Sequence, residues 1–219
     1  MMDSIKLPGI KTGMKAYLLA LVSVVLCIAF SYHFLDREIA RSSYDFIRGK
    51  RILSAYSSNI PDLLLPLAVA ITGLSWAAYC RFRRKDSSSP YTRFFHLIGW
   101  TVPLSFLLKT GLKYVFGMTN ARVWLANKGE FGFHWLHGGT DYCGFPSGHM
   151  AVFSVLVIAL VRYFPPLRFA GLTFLLLLAA ALIVTGYHFL SDVVAGALLG
   201  LLIDNRVFQA LEGRYSKQA

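Results

Sequence analysis

The sequence predicts an all-α fold, a polytopic membrane bundle of six transmembrane helices with an interfacial helix after the first span. Three observations predict it. Hydrophobic residues make up 56% of the 219 and charged residues 15%, whereas a soluble domain carries about a quarter charged. The uncharged residues gather into runs of roughly 20, the length that crosses the hydrocarbon core of a bilayer. Proline, glycine and clusters of Lys and Arg separate the runs, as in the connections of a membrane bundle. With lipid as solvent, each run must satisfy its own backbone polar groups, and a helix does so.

The elements follow in order. Residues 1–15 are a basic tail with Lys6, Lys11 and Lys15. Residues 16–35 form the first span; no small-residue cleavage site follows it, so it is expected to stay as an anchor. Segment 36–59 mixes both charges with apolar residues at near-helical spacing, which predicts an amphipathic helix lying in the interface. The second span is 61–80, and a polar, strongly basic turn occupies 81–90. The third span, 94–116, carries Lys109 and Lys113 in its last two turns, before a long loop, 117–146, rich in glycine and aromatic residues. Ser147 is a good N-cap for a fourth span, 147–164, and Pro165-Pro166 marks a tight turn. Spans 169–187 and 191–211 complete the set, with Ser191 as the expected cap of the last. No internal repeat interrupts this single membrane domain, 1–219.

The net charge is +11, from 22 Lys and Arg against 11 Asp and Glu. On a soluble protein that would suggest nucleic acid. Here the basic residues flank spans beside anionic headgroups, no nucleic-acid motif is present, and the expected partner is the bilayer itself. The face holding both termini carries the larger share of Lys and Arg, which predicts cytoplasmic termini and an opposite face turned outward. Cys27, Cys80 and Cys143 show neither a disulfide nor a zinc spacing.

By span parity, three polar segments emerge together on the outward face: 112–124, 144–149 and 185–196. In the second, Pro146-Ser147-Gly148-His149 opens an apolar helix. Its first N–H groups and the positive end of its dipole suit a phosphate-like anion, and His149 adds a proton donor or acceptor. In the third, Asp192 lies four residues after His188, within reach to hold one imidazole tautomer and stabilise its cation. The first supplies cations for an anion's oxygens, Lys113 and Arg122. Lys109 sits one turn deeper, where a snorkelling role is expected, and Lys128 reads as a solvated loop residue. His134, His137 and Asp141 have a spacing open to a metal, but interfacial anchoring or headgroup contact is the favoured reading, and no metal site is assigned.

These segments resemble the signature of the type 2 phosphatidic acid phosphatase superfamily, which also includes the vanadium haloperoxidases. The signature reads Lys-x6-Arg-Pro, then Pro-Ser-Gly-His, then Ser-Arg-x5-His-x3-Asp, and the resemblance covers about residues 94–204. It implies that His188 attacks phosphorus, Asp192 orients it, and His149 protonates the leaving oxygen. It also implies that Ser147, Gly148 and Lys113 hold phosphate oxygens, with no metal or cofactor. Two positions depart from the pattern. Asn120 stands where the first arginine is expected, two residues before Arg122, which would serve through a bulged loop. Leu182 stands where the second arginine is expected, leaving Arg122 or Lys109 to replace it. The implied function is hydrolysis of a lipid-linked phosphate at the outer face of the inner (plasma) membrane. The alternatives are a phosphotransferase using the same histidine and a non-catalytic lipid-phosphate binder or transporter. The oligomeric state is left open.

Overall fold

The computed structural model describes residues 14–48, 63–126 and 130–216. Helix α1 (Met14–Phe30) runs through a π-helical turn, Ser31–Leu35, straight into α2 (Asp36–Arg48). The first span and the expected interfacial segment are therefore one continuous helix as far as Arg48; residues 49–59 of that segment lie outside the described residues. The π turn, a widened i→i+5 turn often found at functional sites, has a visible use. Tyr32 within it stacks on Phe131 and Phe133 at 5.0 Å, and Asp36 just after it is fully buried.

Next come α3 (Leu64–Arg83), α4 (Pro90–Phe116), the short α5 (Ala121–Leu125) and α6 (Gly148–Tyr163). A 3-10 turn at Pro165–Leu167 leads into α7 (Arg168–Val184), and α8 (Leu190–Tyr215) is the last helix. No strand occurs among the described residues; an isolated antiparallel bridge joins Met118 and Phe133. Lys15–Phe46, Leu64–Arg83, Pro165–Val184 and Leu190–Tyr215 are long and apolar enough to cross a membrane. The helix Gly148–Tyr163 is apolar but shorter, at 16 residues, and α4 spans 27 residues with Lys109 and Lys113 near its end. These helices are compatible with six spans and make this a multi-pass membrane protein.

Helices α4, α6 and α8 form the middle of the bundle. Leu97 and Val102 of α4 meet Val152, Val155 and Ala159 of α6 and Ile203 of α8, all buried. Two glycines let α8 close on α6. A Cβ at Gly196 would lie 2.5 Å from the Ser147 carbonyl, and one at Gly200 would lie 2.7 Å from the Ser154 Cβ. Small residues four apart are how membrane helices bring their backbones together. Outer helices show the reverse pattern: Leu74 of α3 and Leu176 of α7 are each 71% exposed, as side chains meeting lipid should be.

Two helix ends differ from expectation. The fifth span stops at Val184, because Gly186 takes the left-handed conformation (φ +67°). Tyr187 N–H then bonds the Leu182 carbonyl and Gly186 N–H the Ile183 carbonyl, a Schellman closure. The cap of α8 is Phe189, not Ser191. Asp192 accepts the Phe189 N–H at 2.9 Å, so a carboxylate three residues inside does the capping. Ser191 is instead drawn into the helix by Asp36, which accepts both its N–H and its hydroxyl.

Candidate active site

The start of α6 and the start of α8 are tied by backbone: the Ser147 N–H donates to the Asp192 carbonyl at 2.9 Å. This follows from the glycine packing described above, which lets the two helices run in contact from their first turns. Ser147 caps α6, accepting the Met150 N–H at 3.4 Å, and is fully buried. His149 stands one residue inside the helix, 8% exposed, with its ring 6.4 Å from that of Tyr187. His188, 6% exposed, pairs Nδ1 with the Asp192 carboxylate at 3.4 Å. A nearly buried imidazole beside a buried carboxylate is held in one orientation.

Burial pushes the His188 imidazole well below its usual range, the Lys113 charge pushes the same way, and a hydrogen bond with the Gly144 backbone opposes them. Lys109 and Arg122 add smaller effects of the first sign, so three cations bear on this ring. The result is a neutral histidine at neutral pH. That is the form that can act as a nucleophile.

Each cation reaches the site by its own route. Gly117 ends α4 in the left-handed conformation (φ +54°), and the chain after it pairs with the far side of the long loop. Gly144 N–H bonds the Met118 carbonyl at 2.9 Å, and Asn120 N–H bonds the Asp141 carbonyl at 2.7 Å. The loop is thereby folded over the end of α4, and Lys113 Nζ donates to the Cys143 carbonyl. Asn120 does not leave a gap followed by a bulge. Its side chain accepts the Arg122 N–H at 3.0 Å and caps α5, and this turn of helix carries Arg122 inward. The guanidinium lies 3.6 Å from the centre of the Tyr187 ring, and its Nη2 is buried with no hydrogen-bond partner.

Lys109 sits beside the start of α6. Its Cδ lies 3.0 Å from where a Cβ on Gly148 would stand, so its stem runs along the first turn of α6. Leu182 is buried, its carbonyl accepts the N–H groups of both Tyr187 and His188, and no cation replaces it from α7. All seven residues singled out (Lys113, Arg122, Ser147, Gly148, His149, His188 and Asp192) therefore lie at one end of the bundle. Lys128 lies outside the described residues. His134 and His137 pack their rings on Tyr142, at 4.6 and 4.7 Å. No group of three or more His, Cys, Asp or Glu among the described residues is placed to hold a metal.

Two residues escape sequence reasoning. Tyr187 is the platform shared by Arg122 and His149, and Asp36 positions Ser191 beside Asp192. Tyr187 adjoins His188 in a segment already of interest. Asp36, 155 positions from its partner, has no local signal.

The sequence profile described as the PAP2 superfamily matches residues 94–216, more than half of the chain. The chain belongs to the PAP2 superfamily. The matched stretch begins in the second turn of α4 and includes all seven candidate site residues. Among solved structures, the chain is similar to the first transmembrane PAP2 type phosphatidylglycerolphosphate phosphatase from Bacillus subtilis, at 21% identity and a TM-score of 0.43, covering 88% of this chain and 96% of that one. No curated protein sequence matches it.

Proposed function

We propose that this PAP2 superfamily member is an integral-membrane phosphatase that hydrolyses a lipid-linked phosphate monoester or diphosphate. The supporting observation is the tie between the two helix starts, which joins the Pro-Ser-Gly-His turn to the His188–Asp192 pair at one bundle end. The cations beside them suit the charge of a transferring phosphoryl group.

In this reading His188 Nε2, the ring nitrogen turned away from Asp192, attacks phosphorus while the bond to the leaving oxygen breaks. His149 gives that oxygen its proton, and the product is a phosphohistidine. Water then attacks the same phosphorus, its proton passes to His149, the P–N bond breaks, and phosphate leaves. Asp192 stabilises His188 while it carries positive charge. The Ser147 hydroxyl, the first N–H groups of α6, Lys113 and the unpaired Nη2 of Arg122 hold the equatorial oxygens. Phosphohistidine chemistry needs no metal. With the termini in the cytoplasm, the site faces outward at headgroup depth, where a substrate keeps its tails in the bilayer.

The deciding experiment offers the purified protein a panel of lipid phosphates and measures released phosphate. His188→Ala and His149→Ala are each expected to lower turnover by on the order of 10³-fold or more. Tight lipid-phosphate binding without release, insensitive to both changes, would establish the binder instead. Transfer of phosphate to an added lipid acceptor in place of water would establish the transferase.

A further inference from the structure

At the other end of the bundle a cavity of about 620 Å³ opens among the last turns of α3 and α8 and the first turns of α4. It is lined by Arg83, Arg93, Arg214, Ser87 and Ser88, with an aromatic wall that includes Trp76 and Tyr215. Helix α4 contributes Arg93 here and Lys113 to the site described above. The 27-residue helix is about 40 Å long, so the cavity belongs to the opposite membrane face.

The charges in it are unevenly matched. Arg93 is paired with Glu212, at 3.2 and 3.3 Å to its two oxygens. Asp86 nearby is occupied by Ser88, whose N–H and hydroxyl donate to it at 2.8 and 2.6 Å and hold it below the usual carboxylate range. Arg83 and Arg214 have no carboxylate partner among the described residues. Their places in the last turns of α3 and α8 suit the helix dipoles. That accounts for their sign, but not for a roomy polar space between them. The wall is fixed by its own bonds: Tyr215 and His96 share a hydrogen bond of 2.6 Å, and Trp76 donates to the Gly99 carbonyl at 3.1 Å. The cavity wall is thus fixed, and Arg83 and Arg214 line the space it leaves. Guanidinium forks match phosphate oxygens, and the volume suits a glycerophosphate-sized group.

We propose that this cavity binds a phosphate-bearing anion on the membrane face opposite the phosphatase site, Arg83 and Arg214 clasping its oxygens. The phosphate comes either as the headgroup of an anionic phospholipid or free from the aqueous phase. The assignment does not depend on the phosphatase reading.

Trp76 reports on the cavity in the full-length chain once Trp100, Trp124 and Trp135 are changed to Phe. That protein, in phosphatidylcholine nanodiscs, is titrated in two arms: inorganic phosphate in the buffer, and phosphatidylglycerol replacing phosphatidylcholine in the bilayer. A saturable change in Trp76 fluorescence is expected in at least one arm. Response to phosphatidylglycerol identifies a lipid headgroup, and response to inorganic phosphate identifies a free anion. Arg83→Gln with Arg214→Gln should raise the midpoint at least tenfold, and each single change severalfold, which covers the case of a double variant that does not fold. Phosphate release at the far end should be unchanged. No saturable response in either arm, or equal midpoints in the parent and the single variants, overturns the proposal.

Discussion

At the scale of single residues, His188 carries the sharpest consequence. Its imidazole is held neutral by burial and by the Lys113 charge, so acid must overcome both before the nucleophile proposed above is lost. A free histidine protonates near pH 6.5. The acid limb of kcat/KM is therefore expected well below that value, and Lys113→Gln should move it upward by removing one depressing charge. A limb at or above pH 6.5 in the parent, or one unmoved by the change, would contradict this assignment. Linkage has the same sign: the unfolded chain takes up the His188 proton first as pH falls through 6.5, so acid lowers stability from that point until the folded residue also protonates. Beside His188, Arg122 stands two positions late in the sequence pattern and still brings its guanidinium to Tyr187. Asn120 uses its side chain to cap α5, and the helical turn it starts carries Arg122 to Tyr187.

At the scale of elements, the site depends on α6 and α8 touching at their first turns. Gly200 faces Ser154 and the Ala151 carbonyl with no room for a Cβ, at 2.7 and 2.8 Å. Gly200→Leu is expected to lower stability by about 1–3 kcal/mol through overpacking. It should also lower turnover, because prying the helices apart breaks the hydrogen bond between Ser147 and Asp192 that aligns the two halves of the site. Thermal unfolding in detergent, measured alongside phosphate release, checks both; full activity with an unshifted Tm would show that the close approach is dispensable. The continuous α1–α2 helix contributes at this scale as well. Its π turn presents Tyr32 to the loop aromatics and leaves Asp36 holding α8 by Ser191.

At the scale of the whole molecule, polar links inside an apolar bundle hold the ends in register. Arg162 at the close of α6 donates to Asp204, which is fully buried on α8, and to Asn205 at 2.9 Å. Removing one partner strands the other charge. Asp204→Leu alone is expected to cost about 3–5 kcal/mol, whereas Asp204→Leu with Arg162→Met should recover most of the loss. A double variant no more stable than the single would mean that the pair does not act as a unit. The exterior is the counterpart, with large apolar side chains of α3 and α7 turned outward and polar groups gathered at the two bundle ends.

The helices are legible in the sequence because apolar runs of spanning length and their Pro, Gly and basic boundaries are local properties. Ser147, His149, His188 and Asp192 are legible for a similar reason, since helix starts and i,i+4 pairs are short-range patterns. Gly186 also carries a readable stop signal, although the apolar run predicts a fifth span that continues past it to Tyr187. What needs tertiary structure is every relation between distant segments. Asp36 with Ser191, Lys109 along Gly148, Arg122 on Tyr187 and the arginine-lined cavity each join elements far apart in the chain. Sequence spacing reports which side chains share a helix face. Only the packing of one helix on another determines which faces meet, and with what charge between them.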